Sequence, residues 1–451
     1  MNSPRVILIE FNELCPTLLD RFMAEGSLPN FKTLYESSSV FVTDAGEDPP
    51  NLEPWIQWVT VHSGMSFAEH SVYHLGNGRH LPHKCIGEEI SDAGLSVGIF
   101  GSMNVNYSKL NGYVIPDPWD KLGQPHPEAL IPFHRYVARQ VQESSAESAM
   151  LRGDIVGFGR FLIGNGLTGR SLAAALKQLS SERLDPGIRW RRAALLDQLQ
   201  YDVFRKLNLE YGPSFATFFS NSTAHFQHYY WRHMDPGLFS TGVPESDHES
   251  LRGAIEFGYR SMDELIGRFL RDYPDSLLML CTALSQQPWS DTTKVTFRPR
   301  EFGAFLNFAG LSPKVRARPV MAEQFHLDCP DLETAVQAEH ALKALRVGSN
   351  PIIHVRRNAL GVFAGCRVTD NSFMSATVLN SKNDSLAFNR LFHQVHSMRS
   401  GRHHRNGALW IRNRRHRVAT QQVDLIDIAP TILAKFGVQV PERMHGKPLA
   451  I

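Results

Sequence analysis

Six arginines and three histidines fall within GRHHRNGALWIRNRRHR, Gly401 to Arg417, in a 451-residue chain whose formal net charge is only +2. Arginine grips phosphate, sulfate or carboxylate through a two-pronged fork. Histidine is the commonest metal ligand. The stretch therefore offers an anion site, a metal site, or a solvated basic loop. For Arg412–Arg417, which follows the apolar run GALWI, the solvated loop is the preferred reading. Histidines recur in FFSNSTAHFQHYYWR, where His225 and His228 stand three apart, on one face if the segment is helical. The run His228–Met234 either walls a sugar or base or packs a core. Glu53 precedes PWIQW, with Pro54 suited to a first helical turn. A carboxylate there is stabilised by the helix dipole whether or not it does chemistry. Asn12 and Glu13, in the turn NELCP, read as residues that satisfy local backbone groups.

These residues need a scaffold. The run RVILIEF (Arg5–Phe11) is apolar and β-branched, and TLLDRFMAEG follows with helical spacing and a glycine stop. A strand, a loop and a helix open a doubly wound α/β sheet. Leu95–Met103, Phe215–Ser222 and Ser276–Leu284 read as further buried strands, with a helix around Ile86–Ala93. Polar residues just past strand ends form the ligand site in such sheets. The domain reading is core 1–124, helical cap 125–211, core 212–297, small α/β insertion 298–398 and C-terminal core 399–451.

Composition narrows the class. Hydrophobic residues make up 42% and charged residues 20%, as in ordinary globular proteins. No run approaches the length that spans a bilayer, and the N-terminus lacks the pattern of a secretory signal. Five scattered cysteines without a CxxC pair argue against a disulfide framework. The expectation is a cytoplasmic protein with no specific nucleic-acid partner.

Five segments, in order, resemble the alkaline phosphatase superfamily, type I phosphodiesterase/nucleotide pyrophosphatase branch. VILIEFNELCPTLLDRFMAEGSLPNFKTL resembles its opening strand and "GxLPN" helix. WIQWVTVHSGMSFAEH resembles its nucleophile helix, and FFSNSTAHFQHYYWR its "DxxxHxxW" segment. GRHHRNGALWI resembles "GxHxxxG", and VDLIDIAPTILAKFGVQVPERMHGKPL the terminal "DIAPTxLxxxGxxxPxxxxGxxL". The resemblance implies a doubly wound sheet flanked by helices with two insertions. It also implies metal-assisted transfer of a phosphoryl or sulfuryl group, usually with two zinc ions.

The sequence departs from that pattern at decisive positions. Asn12 stands where the first metal-binding Asp is expected. The window Asn51–Pro54 holds no hydroxyl, leaving Glu53 as its strongest base. Ala224 replaces an Asp, with His225 adjacent as a substitute third imidazole. Gln286 and Gln287 replace an Asp and a His. His228 and His403 remain as metal ligands of the expected type. Asn12, Glu53, Gln286 and Gln287 are the expected catalytic set; Arg402 and Arg405 flank His403 as substrate-binding candidates.

The expectation is at most one divalent ion, zinc by ligand type, or no metal at all. The function expected is that of an atypical superfamily hydrolase or transferase. Its substrate would be a phosphate or sulfate ester of a sugar, lipid or nucleotide, or of a glycan. The alternative is a catalytically inactive relative that binds an anionic ligand or a protein partner.

Overall fold

A computed structural model describes residues 5–105, 107, 110–120, 122–143, 152–239, 249, 251–290, 295–319, 324–358, 360–394 and 400–450. The chain divides into two units, each with its own core. The larger comprises Met1–Pro236, Val243–Pro288 and Ser400–Ile451; the smaller comprises Gly237–Gly242 and Trp289–Arg399.

The larger unit is built on a mixed sheet. Its strands are β1 (Val6–Phe11), β2 (Ser38–Asp44), β3 (Val97–Phe100), β4 (Gly112–Ile115), β5 (Phe215–Ser220) and β6 (Leu277–Cys281). A two-stranded ribbon beside it pairs β7 (Ser285–Pro288) with β8 (Gly401–His404). The sheet is completed by β9 (Asn406–Arg412), β10 (Arg417–Val418) and β11 (Val423–Asp424). The order is β10-β2-β9-β6-β1-β5-β3-β4, with β11 also on β2. Every described pairing is parallel except those of β9, which runs antiparallel to both β2 and β6.

The run VILIEF is buried at every position, as a central strand covered on both faces must be. Val6, Leu8, Phe215 and Phe219 face a core shared with Trp58, Ile86, Ile90, Ile428 and Ile432. Alternation sends Phe11 and Phe218 the other way. There Phe11 meets Phe31, and Phe218 meets Phe204 and Phe269. Helices thus flank the sheet. The Arg192–Tyr211 and Gly169–Leu184 helices of the expected cap fall within this same unit.

The smaller unit holds two four-stranded antiparallel sheets. The helix Leu332–Lys343 is capped by Asp331, which accepts from the Thr334 N–H. Phe297, Phe325, Leu342, Val362 and Phe388 anchor its core. No helix among the described residues is long and apolar enough to cross a membrane. All five cysteines are buried and none is in a disulfide.

Candidate metal centre

The C-terminal ends of β1, β5 and β6 meet at Asn12 and Glu13. The Asn12 N–H donates to the Ser220 carbonyl at 2.9 Å, and the Glu13 N–H to the Thr282 carbonyl at 3.4 Å. Gln227 Nε2 donates to the Glu13 carbonyl at 2.8 Å. Glu13 adopts a left-handed backbone, φ 58°, unusual for a non-glycine residue. That turn aims its side chain across the strand ends, where it is 2% exposed.

Both carboxylate oxygens are engaged. Oε1 accepts from Asn12 Nδ2 at 3.0 Å, and Oε2 from Gln286 Nε2 at 2.5 Å. Oε2 also faces His228 Nε2 at 3.1 Å and His403 Nε2 at 3.4 Å. His228 sits on the Ser222–Met234 helix and His403 on β8. His228 Nδ1 lies 3.1 Å from the Gly401 carbonyl, and His403 Nδ1 lies 2.9 Å from the Leu52 carbonyl. A carbonyl can only accept, so each Nδ1 carries a proton. Each Nε2 of a neutral ring is then left as the lone-pair nitrogen. Both Nε2 atoms are buried and lack a hydrogen-bond partner in good geometry. The two ion-pair distances therefore report proximity to Glu13 without alignment.

These donors are of the types that bind a divalent ion. Glu13, His228 and His403 each offer one donor atom, all within 4.8 Å of one another. Tetrahedral zinc, with bonds of roughly 2.1 Å, separates its donors by about 3.4 Å. A carbonyl on the far nitrogen of each imidazole fixes tautomer and ring orientation, as in established zinc sites. One carboxylate and two imidazoles also form a recurrent catalytic zinc set.

Electrostatics agree. Burial works against the Glu13 charge, yet the adjacent His403 and His228 outweigh it and hold its carboxyl well below the usual range. Burial likewise lowers His403, but the Glu13 and Glu53 carboxylates outweigh that and raise it to about 9. A proton on His403 is the smallest cation that answers Glu13, and a metal ion would take its place.

The remaining candidates separate. Asn12 is spoken for: its Oδ1 accepts from the Trp58 indole N–H at 2.8 Å, and its Nδ2 also donates to Asn221 Oδ1 at 2.7 Å. It orients Glu13. Gln286 stands opposite His403 in the ribbon and Gln287 opposite Arg402, so alternation turns Gln287 away from Glu13. Glu53 Oε2 lies 3.4 Å from His403 Nδ1, with its side chain 23% exposed.

His225 is not among the clustered donors. Its ring lies against Tyr229, centroids 4.7 Å apart, and burial pushes it down to about 4, so it is neutral. The side chain that clusters with His228 and His403 is that of Glu13. Arg402 is exposed on the outward side of β8. Arg405 is committed to Asp44 through two bonds, 2.8 and 3.0 Å, and approaches Asp48 at 3.5 Å. Arg414, Arg415, His416 and Arg417 are exposed, as a solvated basic loop requires. The residue that sequence reasoning missed is Glu13. Its signal was a carboxylate two positions beyond a buried strand, beside an Asn that cannot supply charge.

No protein-family model matches the chain, and no curated protein matches it in sequence. Solved structures do resemble it over nearly their whole length. Murine ectonucleotide pyrophosphatase/phosphodiesterase 5 matches with a TM-score of 0.43 and 9% identity, covering 97% of this chain and 96% of that one. Phosphonoacetate hydrolase from Sinorhizobium meliloti 1021 matches at 0.41 and 13%, covering 96% of each. The alkaline phosphatase PafA matches at 0.47 and 11%, covering 100% and 99%. At these values the likeness is one of overall chain course, and what the site can do rests on its own geometry.

Proposed function

We propose that the protein is a one-metal hydrolase or transferase acting on a phosphate or sulfate ester. The observation that carries this reading is the convergence of Glu13 Oε2, His228 Nε2 and His403 Nε2, with both imidazoles tied back through Nδ1. A divalent ion held there, zinc by donor type, supplies Lewis acidity toward an anionic ester oxygen. The chain's own residues do the rest. Asn12 and Gln286 hold Glu13 in position. Glu53, partly exposed beside His403, takes a proton from water or an acceptor hydroxyl. Asn12 and Gln286 are neutral amides, so neither offers a second ion a compensating charge.

The test is elemental analysis of protein purified without chelator, followed by an ester screen. One zinc per chain or less is expected, lost in E13Q and in H403A, with turnover of at least one phosphate or sulfate ester. Two tightly held ions would show that the ligands are misplaced. One ion with no turnover on any ester would favour the second reading, an inactive relative that binds an anionic ligand. The amides around Glu13 and the absence of a hydroxyl in Asn51–Pro54 support that reading.

A further inference from the structure

The Gly169–Leu184 helix is packed inside out. Its inward row is Ser171, Ala175, Gln178 and Glu182, spaced i, i+4, i+7, i+11 and buried or half-buried. Its leucine row, Leu172, Leu176 and Leu179, is left 46%, 57% and 52% exposed. An ordinary surface helix does the reverse.

The rotation is fixed by polar bonds. Arg192 Nε reaches both Glu182 oxygens at 2.8 and 3.0 Å, and Gln178 Nε2 donates to Glu182 Oε1 at 2.9 Å. Gln178 Nε2 also reaches the Ile188 carbonyl at 3.1 Å, and Thr168 caps the helix by accepting from the Ser171 N–H. Rolling the helix to cover its leucines would break these bonds and strand Glu182.

The exposed charges on the helix itself have one sign. Arg170, Lys177 and Arg183 are exposed on the helix, and its one acid, Glu182, is buried. Arg170 shares an exposed ion pair with Glu264 at 2.8 Å, while Arg183 extends the leucine row by one turn. Apolar rows rimmed by cations match an anionic surface. Every exposed apolar side chain on the helix is aliphatic. Protein interfaces are anchored by Trp, Tyr and Arg, with leucine under-represented and lysine depleted.

We propose that this helix lies on an anionic lipid surface. Its leucine row enters the boundary between headgroups and acyl chains, and Lys177 and Arg183 face lipid phosphates. The full chain is tested by co-sedimentation with phosphatidylserine–phosphatidylcholine vesicles and with pure phosphatidylcholine vesicles. Binding is expected to the first, weakened by salt, and reduced about tenfold or more in L176E/L179E and in K177E/R183E. The substituted side chains are exposed, so thermal midpoints should match wild type and exclude misfolding. Absence of binding to anionic vesicles, or equal binding by L176E/L179E, would overturn the proposal. A vesicle-free dimer that L176E/L179E dissociates, with no vesicle binding, would assign the row to a second copy of the chain.

Discussion

Gln286 Nε2 donates to both Glu13 Oε2 and the Ala224 carbonyl, so a single amide locks the carboxylate to the helix that carries His228. Gln286→Leu should leave the fold intact and weaken metal binding by about 10–100-fold, the usual cost of losing an outer partner of a ligand. Competition against a chromophoric chelator measures this, and unchanged affinity would remove Gln286 from the site. Glu53→Gln keeps shape and removes charge. It should abolish ester turnover with metal content unchanged. In a protein without that chemistry it would alter only a helix-dipole contribution of roughly 0.3–1 kcal/mol. His228, His403 and Glu53 could be singled out in the sequence because ordered segments resemble a known pattern, and the structure sets them around one point, His228 and His403 beside Glu13 and Glu53 beside His403. Glu13 was not, because what makes it a donor is spatial: Gln286 lies 273 positions away in sequence.

Two elements around the centre have testable constraints. Gly401 opens β8 where a Cβ would lie 2.2 Å from Gln286 Oε1 and 2.7 Å from the Gln227 carbonyl. The Gln227 oxygen is backbone and cannot swing aside. Gly401→Ala should therefore cost about 1–3 kcal/mol by overpacking and displace His403 with it. Urea unfolding together with zinc titration reads both losses. His70, at the end of the short Phe67–His70 helix, accepts from the Val72 N–H through Nδ1 at 3.0 Å. Its proton is therefore on Nε2, 3.1 Å from Thr60 Oγ1. Burial pushes His70 down to about 4 from an ordinary 6.5, with the nearby Glu69 carboxylate opposing only in part. The unfolded chain takes that proton first. Stability is full above about 6.5 and falls as pH drops toward about 4, by on the order of 3 kcal/mol. Urea midpoints across that range should show the slope, and H70Q should flatten it. Strand positions were legible from apolar runs. The inside-out packing of Gly169–Leu184 was not, since periodicity marks an apolar row without saying which way it faces; Arg192 and Gln178 decide that.

For the whole molecule, two cores and one set of donors give a distinct thermal signature. All three proposed donors belong to the larger unit, and the smaller unit has its own buried cluster. Calorimetry should resolve two transitions. Zinc at about a hundred times its dissociation constant should stabilise one of them by about 2.7 kcal/mol and leave the other in place. Equal movement of both would mean that the units unfold as one or that zinc binds elsewhere. The sheet could be anticipated because a central strand buried on both faces must be apolar throughout, as VILIEF is. The reversal of β9 could not, because direction within a sheet leaves no mark on the composition of a strand.

That reversed strand has a consequence for synthesis. β9 lies between β2 and β6, so the hydrogen-bonding edges of both stay open until Asn406–Arg412 has left the ribosome. β2 is by then more than three hundred residues old, and an open edge is what nascent chains aggregate through. His403 emerges in the same stretch, immediately ahead of β9. Closure of the sheet and completion of the donor set are then one event, late in translation. A chain stalled before β8 would carry Glu13 and His228 but display neither a closed sheet nor the full donor set.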